Sequence, residues 1–475
     1  MRKNVEQKIT RIINSLLPET AFRNRYAKKT SLADRMSYYK TPGVSVGVVN
    51  EYEVEWARGF GVREWGQLHP VTKDTVFQAG SISKPVFVIA IMRLVQEGAL
   101  DLDEDVNNYL ISWRIPANDS WQPKITLRQI LSHSAGLTVH GFPGYLQTET
   151  LPTVVQVLGG EYPANTKPVQ TNIVPGTQFR YSGGGTTVAQ QLVVDVLNKP
   201  FTEIMHELVF EPLGLAHSSY EQPLPAEWAK MAATAHPWKY QPVAGEWHIY
   251  PEMAAAGLWS TPSDLARIGL EVQLAIQGKS DFMKKDLARQ MLTPQISRGS
   301  TRVLHDSHEN MGIGFFLDGK DETIRFKHGG WDEGFVAHMI FYRELGIGSV
   351  VMINSNQGHD LIFEIERAIA IEYGWPDYLP KEKVVSKVPD EDLRKTLGTY
   401  VAKSGLRFKV EHGGDGLLLL RATGQPPIEL YPESETKFFA MVVNSEVTFK
   451  KTKMGKVEEL ILHQDGTQTS ARRTK

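Results

Sequence analysis

Ala79-Gly80-Ser81-Ile82-Ser83-Lys84-Pro85-Val86-Phe87-Val88-Ile89-Ala90-Ile91-Met92-Arg93-Leu94-Val95-Gln96-Glu97-Gly98 reads as a buried helix with one serine and one lysine at its mouth. Pro85 suits a first helical turn, where a missing N–H costs nothing. Gly98 suits the stop, and the run between is apolar on nearly every side, so the helix belongs inside the protein. Ser81 and Lys84 are three residues apart and leave one turn in the same direction. A hydroxyl beside an amine at the end of a buried helix has the makings of an activated nucleophile. Burial disfavours the ammonium, and a neutral amine accepts a hydroxyl proton. Spacing alone leaves a second reading open, in which Ser81 caps its helix and Lys84 pairs with a carboxylate.

The bulk properties narrow the field. A chain of 475 residues is expected to form two or three domains. Its 41% hydrophobic and 22% charged residues are those of a soluble globular protein, and a net charge of -2 offers nothing to nucleic acid or an anionic membrane. With no cysteine, disulfides, thiolate catalysis and Cys-ligated zinc are excluded. Residues 1–17 are charged and amphipathic with no signal-like apolar core, and the longest apolar run, Val86–Met92, is far short of a membrane span. A cytoplasmic location is therefore expected, or a periplasmic or secreted one if a leader has been removed.

Outward from the central helix, Val5–Leu17 has helical apolar spacing with Pro18 to end it. Val44–Val49 and Tyr52–Gly61 alternate as a hairpin. From Thr75 to about Leu292 the pattern is mostly helical (Leu127–His133, Val188–Leu197, Phe201–Val209, Ser263–Gln277), broken by a long loop at Leu137–Gly176. Strands return at Ile324–His328, Phe335–Arg343 and Gly348–Asn354, and the helix Leu361–Tyr373 follows. The simplest fold is α/β: one antiparallel sheet built from both ends, flanked by N- and C-terminal helices, with a helical subdomain inserted at about 75–310. Tyr378–Asp392 reads as a linker. From Gly398 to Arg472 about eight short alternating segments, with Leu406, Phe408 and Val410 on one face, indicate an all-β up-and-down barrel. The expected domains are residues 1–378, a linker at 379–394, and the barrel at 395–475.

Ser-x-x-Lys occurs three times, and context separates the copies. Ser434–Lys437 lies at a strand edge, where residues three apart face opposite sides. Ser37–Lys40 lies in a polar stretch before a proline. Gly43-Val44-Ser45-Val46-Gly47 matches the G-x-S-x-G nucleophile elbow, but that turn needs a strand before it and a helix after it, and Ser45 lies within a strand. His305-Asp306-Ser307-His308-Glu309 gathers metal-ligand residue types without the helical spacing of a metal motif, and reads as a solvated loop.

Three further stretches accompany Ser81–Lys84: Pro175-Gly176-Thr177-Gln178-Phe179-Arg180-Tyr181-Ser182-Gly183, Phe326-Lys327-His328-Gly329-Gly330-Trp331 and Leu131-Ser132-His133-Ser134-Ala135-Gly136-Leu137. In this order they resemble the serine β-lactamase and penicillin-binding protein superfamily, in its class C-like branch of esterases and D-amino-acid peptidases. The resemblance runs roughly from Pro42 to Asn356. It implies a β-lactamase/transpeptidase-like fold, Ser81 as acylated nucleophile, Lys84 as its proton acceptor and Tyr181 as second acid/base. His328, Gly329, Gly330 and Trp331 would bind substrate, with the N–H groups of Ser81 and Trp331 as oxyanion hole. His133 and Asp264 would be structural, with Thr261 or Ser260 capping a helix that has Pro262 at its first position. No cofactor is implied. The barrel is similar to the lipocalin-like domains of some relatives, which cover the active site or mediate assembly; a stability or oligomerisation module without a ligand is the alternative.

Two departures bear on substrate. Gly183 stands where Tyr-x-Asn relatives carry the amide-binding asparagine. His328 replaces a permanently charged lysine with a group expected to titrate near neutrality, so carboxylate binding would be weak or pH-dependent. Both point away from an efficient β-lactamase and toward small esters, amides or short peptides. A β-lactamase or penicillin-sensitive peptidase is the rival enzyme, and a catalytically weak protein whose barrel binds a ligand is the rival from another class.

Overall fold

The structure of the chain, a computed structural model, describes residues 2–474 other than 23–28, 120, 298–308, 415, 424, 426, 442–444 and 465–466. It divides into two compact units, one mainly Ala33–Ser300 with His308–Ile362, the other mainly Lys8–Leu32 with Phe363–Lys475.

The first unit is organised by an eight-stranded sheet. Its strands are β1 (Gly43–Asn50), β2 (Glu53–Gly61), β3 (Ile296–Ser297), β4 (Asn310–Met311), β5 (Phe316–Asp318), β6 (Arg325–Asp332), β7 (Phe335–Tyr342) and β8 (Gly348–Ile353). Their order is β2-β1-β8-β7-β6-β5-β4-β3, with every neighbouring pair antiparallel. The first two strands of this sheet thus join its last three through the β1–β8 pairing of Val46 with Val351. β7 and β8 are buried along their whole length, as central strands covered on both faces must be.

The principal helices are α1 (Arg2–Ile13), α2 (Ser83–Gln96), α3 (Gly183–Leu197), α4 (Met253–Ala256), α5 (Pro262–Gln277) and α6 (His359–Tyr373). α5 packs on β1, β2, β7 and β8, and a Cβ at its Gly269 would come within 2.2 Å of the Phe341 ring, so the helix lies directly on the sheet. Thr261 caps α5 by accepting the Asp264 N–H, with Pro262 in its first turn. The expected helix Val188–Leu197 begins five residues earlier, because Ser182 caps it and three glycines form its first turn. The loop Leu137–Gly176 contains one short helix, Val154–Gly159, closed by a Thr153–Gln156 capping box. α1 ends at Ile13, ahead of Pro18.

In the second unit, Arg11 of α1 pairs with Glu372 of α6 at 2.7 Å, and Lys8 lies over the Tyr373 ring. The segment read as a linker carries a short strand, Lys381–Lys383, paired in parallel with Thr20–Phe22, and a helix, Asp390–Thr396. Eight strands then close a barrel: β9 (Gly398–Ala402), β10 (Arg407–Gly414), β11 (Leu417–Ala422), β12 (Ile428–Pro432), β13 (Lys437–Ala440), β14 (Ser445–Lys451), β15 (Val457–Gln464) and β16 (Thr467–Arg473). Each pairs antiparallel with the next, and β16 returns to β9 through Tyr400 and Arg473. Period-2 alternation sends Phe408, Val410, Leu418, Leu420, Phe438 and Phe449 into one packed core. No helix among the described residues is long and apolar enough to cross a membrane.

Candidate active site

The turn that starts α2 is held from several sides. A 3-10 turn at Gly80–Ile82 leads into the helix, placing Pro85 in its first turn and Gly98 just beyond its end with φ +76°. The Ser83 hydroxyl donates to Gly80 O at 2.6 Å and accepts the Leu258 N–H at 3.0 Å. Tyr220 donates its hydroxyl to Ser83 O at 2.6 Å. Apolar residues fill the helix from Val86 to Met92, all buried. Ser81 is left half-buried at the mouth.

Lys84 Nζ lies 2.9 Å from Ser81 Oγ and donates to Ala255 O of α4 at 2.7 Å. Its side chain is buried. Burial lowers the amine to about 7, against an opposing attraction from Asp332. A substantial fraction is therefore unprotonated at neutral pH, and its lone pair sits within hydrogen-bond distance of a hydroxyl. The alternative of a lysine ion-paired in place is not what this geometry shows, because its closest oxygens are a hydroxyl and a carbonyl.

Tyr181 reaches the same point from the residue preceding the Ser182 cap of α3. Lys84 Nζ is 5.0 Å from the centre of its ring. His133 grips the tyrosine on both sides: its carbonyl accepts the Arg180 N–H at 2.7 Å and its Nδ1 accepts the Ser182 N–H at 3.2 Å. The two rings stand 4.2 Å apart. Burial and the nearby Lys84 hold His133 well below its usual range, which keeps Nδ1 an acceptor. These contacts set His133 against the backbone on both sides of Tyr181.

β6 supplies the opposite wall. A Cβ on Gly330 would fall 1.9 Å from Ala79 O, and one on Gly80 would fall 2.4 Å from Trp331 N. Only glycines allow this approach, and it sets the backbone N–H of Trp331 against the turn that carries the N–H of Ser81. Gly80 also has φ +52°, a conformation that side chains resist. The Trp331 ring points to the other face of the strand, exposed and stacked on His359 at 5.7 Å.

His328 departs from expectation. It is buried and packs 5.2 Å from Phe316 and 6.3 Å from Tyr181, ring centre to ring centre. Burial and Lys84 push it down to about 3, so it does not titrate near neutrality. Its Nδ1 contacts Gly329 O at 2.6 Å, which requires Nδ1–H and leaves Nε2 as an acceptor. No charge for a carboxylate is present there at neutral pH, and the expected pH-dependence of this position is replaced by constant neutrality.

Gly183 is the first residue of α3. A Cβ there would meet the Phe142 ring at 3.0 Å and His140 O at 3.2 Å, so the segment 138–142 fills the space a side chain would take. His140 accompanies it, exposed, with its ring 5.0 Å from that of Tyr181. The other candidates resolve simply. Ser45 is wholly buried in β1. The Ser434 hydroxyl accepts the Lys437 backbone N–H, while the Lys437 ammonium pairs with Glu433 and Glu446. Asp264 accepts from His217 N and Ser218 Oγ. Residues 305–308 lie outside the described residues, and Glu309 pairs with Lys327 at 2.9 Å.

Several residues of the site escaped sequence reading. Asp332 follows His328 and Gly330 at period 2 on one face of β6, a signal the sequence does contain. Glu252, His140 and Ala255 had no such signal, since loops and one turn of helix bring them in.

An antiparallel sheet with an inserted helical subdomain, and a serine–lysine–tyrosine cluster at the mouth of its buried helix, define a protein of the β-lactamase/transpeptidase-like class. The sequence profile described as Beta-lactamase matches residues 29–372, and the chain belongs to this family. Penicillin-binding protein 4* of Bacillus subtilis (strain 168) is 22% identical over 457 residues, covering 89% of this chain and 93% of that protein. Esterase EstB of Burkholderia gladioli is 28% identical over 199 residues, covering 39% of this chain and 48% of its own length. Among solved structures, the octameric penicillin-binding protein homologue from Pyrococcus abyssi superposes with a TM-score of 0.63 at 22% identity, covering 93% of this chain and 98% of that one. The β-lactamase/D-alanine carboxypeptidase from Yersinia pestis gives 0.56 at 19% identity, covering 72% and 97%.

Proposed function

We propose that the chain is a serine hydrolase that forms an acyl-enzyme on Ser81 and cleaves small esters, amides or short peptides. The observation that carries the reading is the 2.9 Å contact between Ser81 Oγ and a buried Lys84 whose amine is lowered to about 7. Ser81 Oγ attacks the carbonyl carbon while its proton passes to Lys84. The oxygen of the tetrahedral intermediate is received by the N–H groups of Ser81 and Trp331, already in place before the reaction. Tyr181, beside Lys84, relays the proton to the leaving group. Water then attacks the ester on Ser81, the same groups accept its proton, and the acid departs. The chemistry calls for no cofactor.

The names carried by relatives, an esterase and a D-alanine carboxypeptidase among them, support this class of substrate. The neutral His328 and the occupied space at Gly183 favour substrates without a carboxylate at that end of the site, and so esters and amides over penicillins. The alternative of a ligand-binding barrel draws no support from a barrel interior filled by Tyr400, Phe408, Phe438 and Phe449. A role for the barrel in self-association fits better, given that one structural relative is octameric.

The test is turnover of p-nitrophenyl esters, D-amino-acid amides and nitrocefin, with fluorophosphonate labelling located by mass spectrometry. Label on Ser81 and loss of about 10³-fold or more in kcat for Ser81→Ala are expected. Full turnover by Ser81→Ala ends the assignment, and efficient nitrocefin hydrolysis moves it to the β-lactamase alternative.

A further inference from the structure

Beside α2 the chain forms a cleft of about 400 Å³ that the acyl-enzyme scheme does not use. One wall is a rare turn. Residues His206–Phe210 form a π-helix, in which the Glu211 N–H reaches back five residues to His206 O. Pro212 gives the reason: it has no N–H for Leu208 O, and its ring would clash with that carbonyl in an ordinary α-turn, so the helix widens there. Such π-turns recur at functional sites. Gly214, at φ +62°, ends the run, and the Leu215 N–H returns to Phe210 O at 2.8 Å. The facing wall is Tyr220, fixed through Ser219, which exchanges both backbone hydrogen bonds with Trp259 at 2.9 Å. Phe210 stacks on Tyr220 with ring centres 5.7 Å apart and planes 12° from parallel. The Tyr220 hydroxyl is taken by Ser83 O, so the inner surface of the cleft is apolar.

We propose that this cleft is a second binding site, for a small organic cation with an apolar body. Its volume lies in the range of small-molecule sites. Phe210, Leu215 and the half-buried Trp228 offer the apolar surface, and aromatic walls favour a cation over a neutral guest. The charge comes from Glu211 and Glu221, which line the cleft, are exposed, and have no ion-pair partner among the described residues. Nearby Glu203 and Glu207 differ in this respect, since Lys199 pairs with both, at 3.5 and 2.8 Å. No lysine or arginine among the described residues lines the cleft, and His206 is its basic side chain. Arg267 comes near at Gly214, where a Cβ would stand 3.7 Å from its guanidinium, but there it faces the buried Asp264. Two carboxylates beside an apolar wall attract an ammonium group and repel an anion. The site does not rest on the hydrolase reading, because Ser81, Lys84 and Tyr181 do not line it. It meets that machinery at Tyr220, whose hydroxyl holds the Ser83 carbonyl.

Isothermal titration calorimetry of the full chain tests this with 2-phenylethylammonium, 2-phenylethanol and 3-phenylpropionate, three probes with similar bodies and different charge. Saturable binding of the ammonium is expected, tighter than the alcohol by about fivefold or more, with the carboxylate weakest. The double variant Glu211→Gln/Glu221→Gln changes two exposed positions and should bring ammonium and alcohol to nearly equal affinity. Trp228→Ala should weaken both. Ser81→Ala should bind the ammonium as the wild type does. Absence of saturable binding, equal affinity of the wild type for ammonium and alcohol, or a preference that survives the double variant overturns the proposal. Binding lost in Ser81→Ala would put the amine in the active site and overturn it as well. A wild type that binds the ammonium as expected but is never labelled by fluorophosphonate at Ser81 would instead remove the hydrolase reading and leave the cleft standing.

Discussion

At the scale of single residues, the site works by bringing ordinary groups into extraordinary surroundings. Lys84 is an unremarkable lysine until α2 buries it. With its amine at about 7, the base form grows as pH rises through neutrality, so kcat/KM is expected to climb between roughly pH 6 and 8. A profile flat across that range would count against Lys84 as proton acceptor. The same shift affects stability. The folded protein binds this proton more weakly than the unfolded chain, so between about 7 and the ordinary lysine value of 10.5 the Lys84 contribution to stability grows with pH. Glu252, raised to about 7 from 4.5, runs the other way: its burial costs increasingly more as pH rises through that interval. Close approach sets a further limit. Gly330→Ala would drive a methyl group into Ala79 O, and a loss of about 1–3 kcal/mol in chemical denaturation, together with lost Ser81 labelling, is expected. Wild-type behaviour in both assays would show that β6 can withdraw from the turn without consequence.

Single elements contribute by how they begin. α2 opens on a turn tied down by Ser83, α3 on Ser182 and three glycines, and α5 on Thr261. At α3 and α5 a side chain replaces a missing backbone partner of the helix end, whereas at α2 the Ser83 hydroxyl ties the turn to Gly80 O and the Leu258 N–H. Thr261→Ala removes the acceptor for Asp264 N–H, and about 1 kcal/mol of stability should be lost in urea melts. Thr261→Ser, which keeps the oxygen, should recover most of it; an Ala variant as stable as wild type would mean that the buried Asp264 network supplies the cap by itself. The start of α3 matters more for chemistry. His133 braces Tyr181 through the backbone of both its neighbours, so His133→Ala is expected to lower kcat more than it raises KM. A pure KM effect would assign His133 to substrate contact instead.

The whole molecule joins a mixed-order sheet to a closed barrel, and the two were legible to different degrees. The barrel was read almost strand by strand, because period-2 alternation between turns is a local signal, and Phe408 and Val410 declare the inner face themselves. Its core predicts its own weak point. Phe438→Ala empties a fully buried site and should cost about 3–5 kcal/mol, seen as faster amide exchange in β12, β13 and β14. Unchanged exchange there would mean the barrel core repacks around the gap.

In the sheet, β1, β2, β7 and β8 and the helices α2 and α5 were visible as hydrophobic patterns, and their motifs identified the family. Ser81, Lys84, Tyr181 and the His328–Trp331 stretch could be singled out from sequence, and the structure brings them together, because a hydroxyl and an amine at one helix mouth and close-approach glycines each leave a residue-type signature. What the sequence could not determine is the state of those groups. A histidine at 328 suggested a group titrating near neutrality, yet burial beside Lys84 makes it permanently neutral. Gly183 suggested a missing contact, yet the segment 138–142 fills its place. The period-2 place of Asp332 on β6 was visible, but not its attraction for Lys84, which acts through space across 248 positions of the chain. Residue types and their order determine which chemistry is available, since bonds and functional groups are local. Desolvation and Coulomb attraction depend on distances that only folding creates, so the tertiary structure alone decides which of those groups carry a proton.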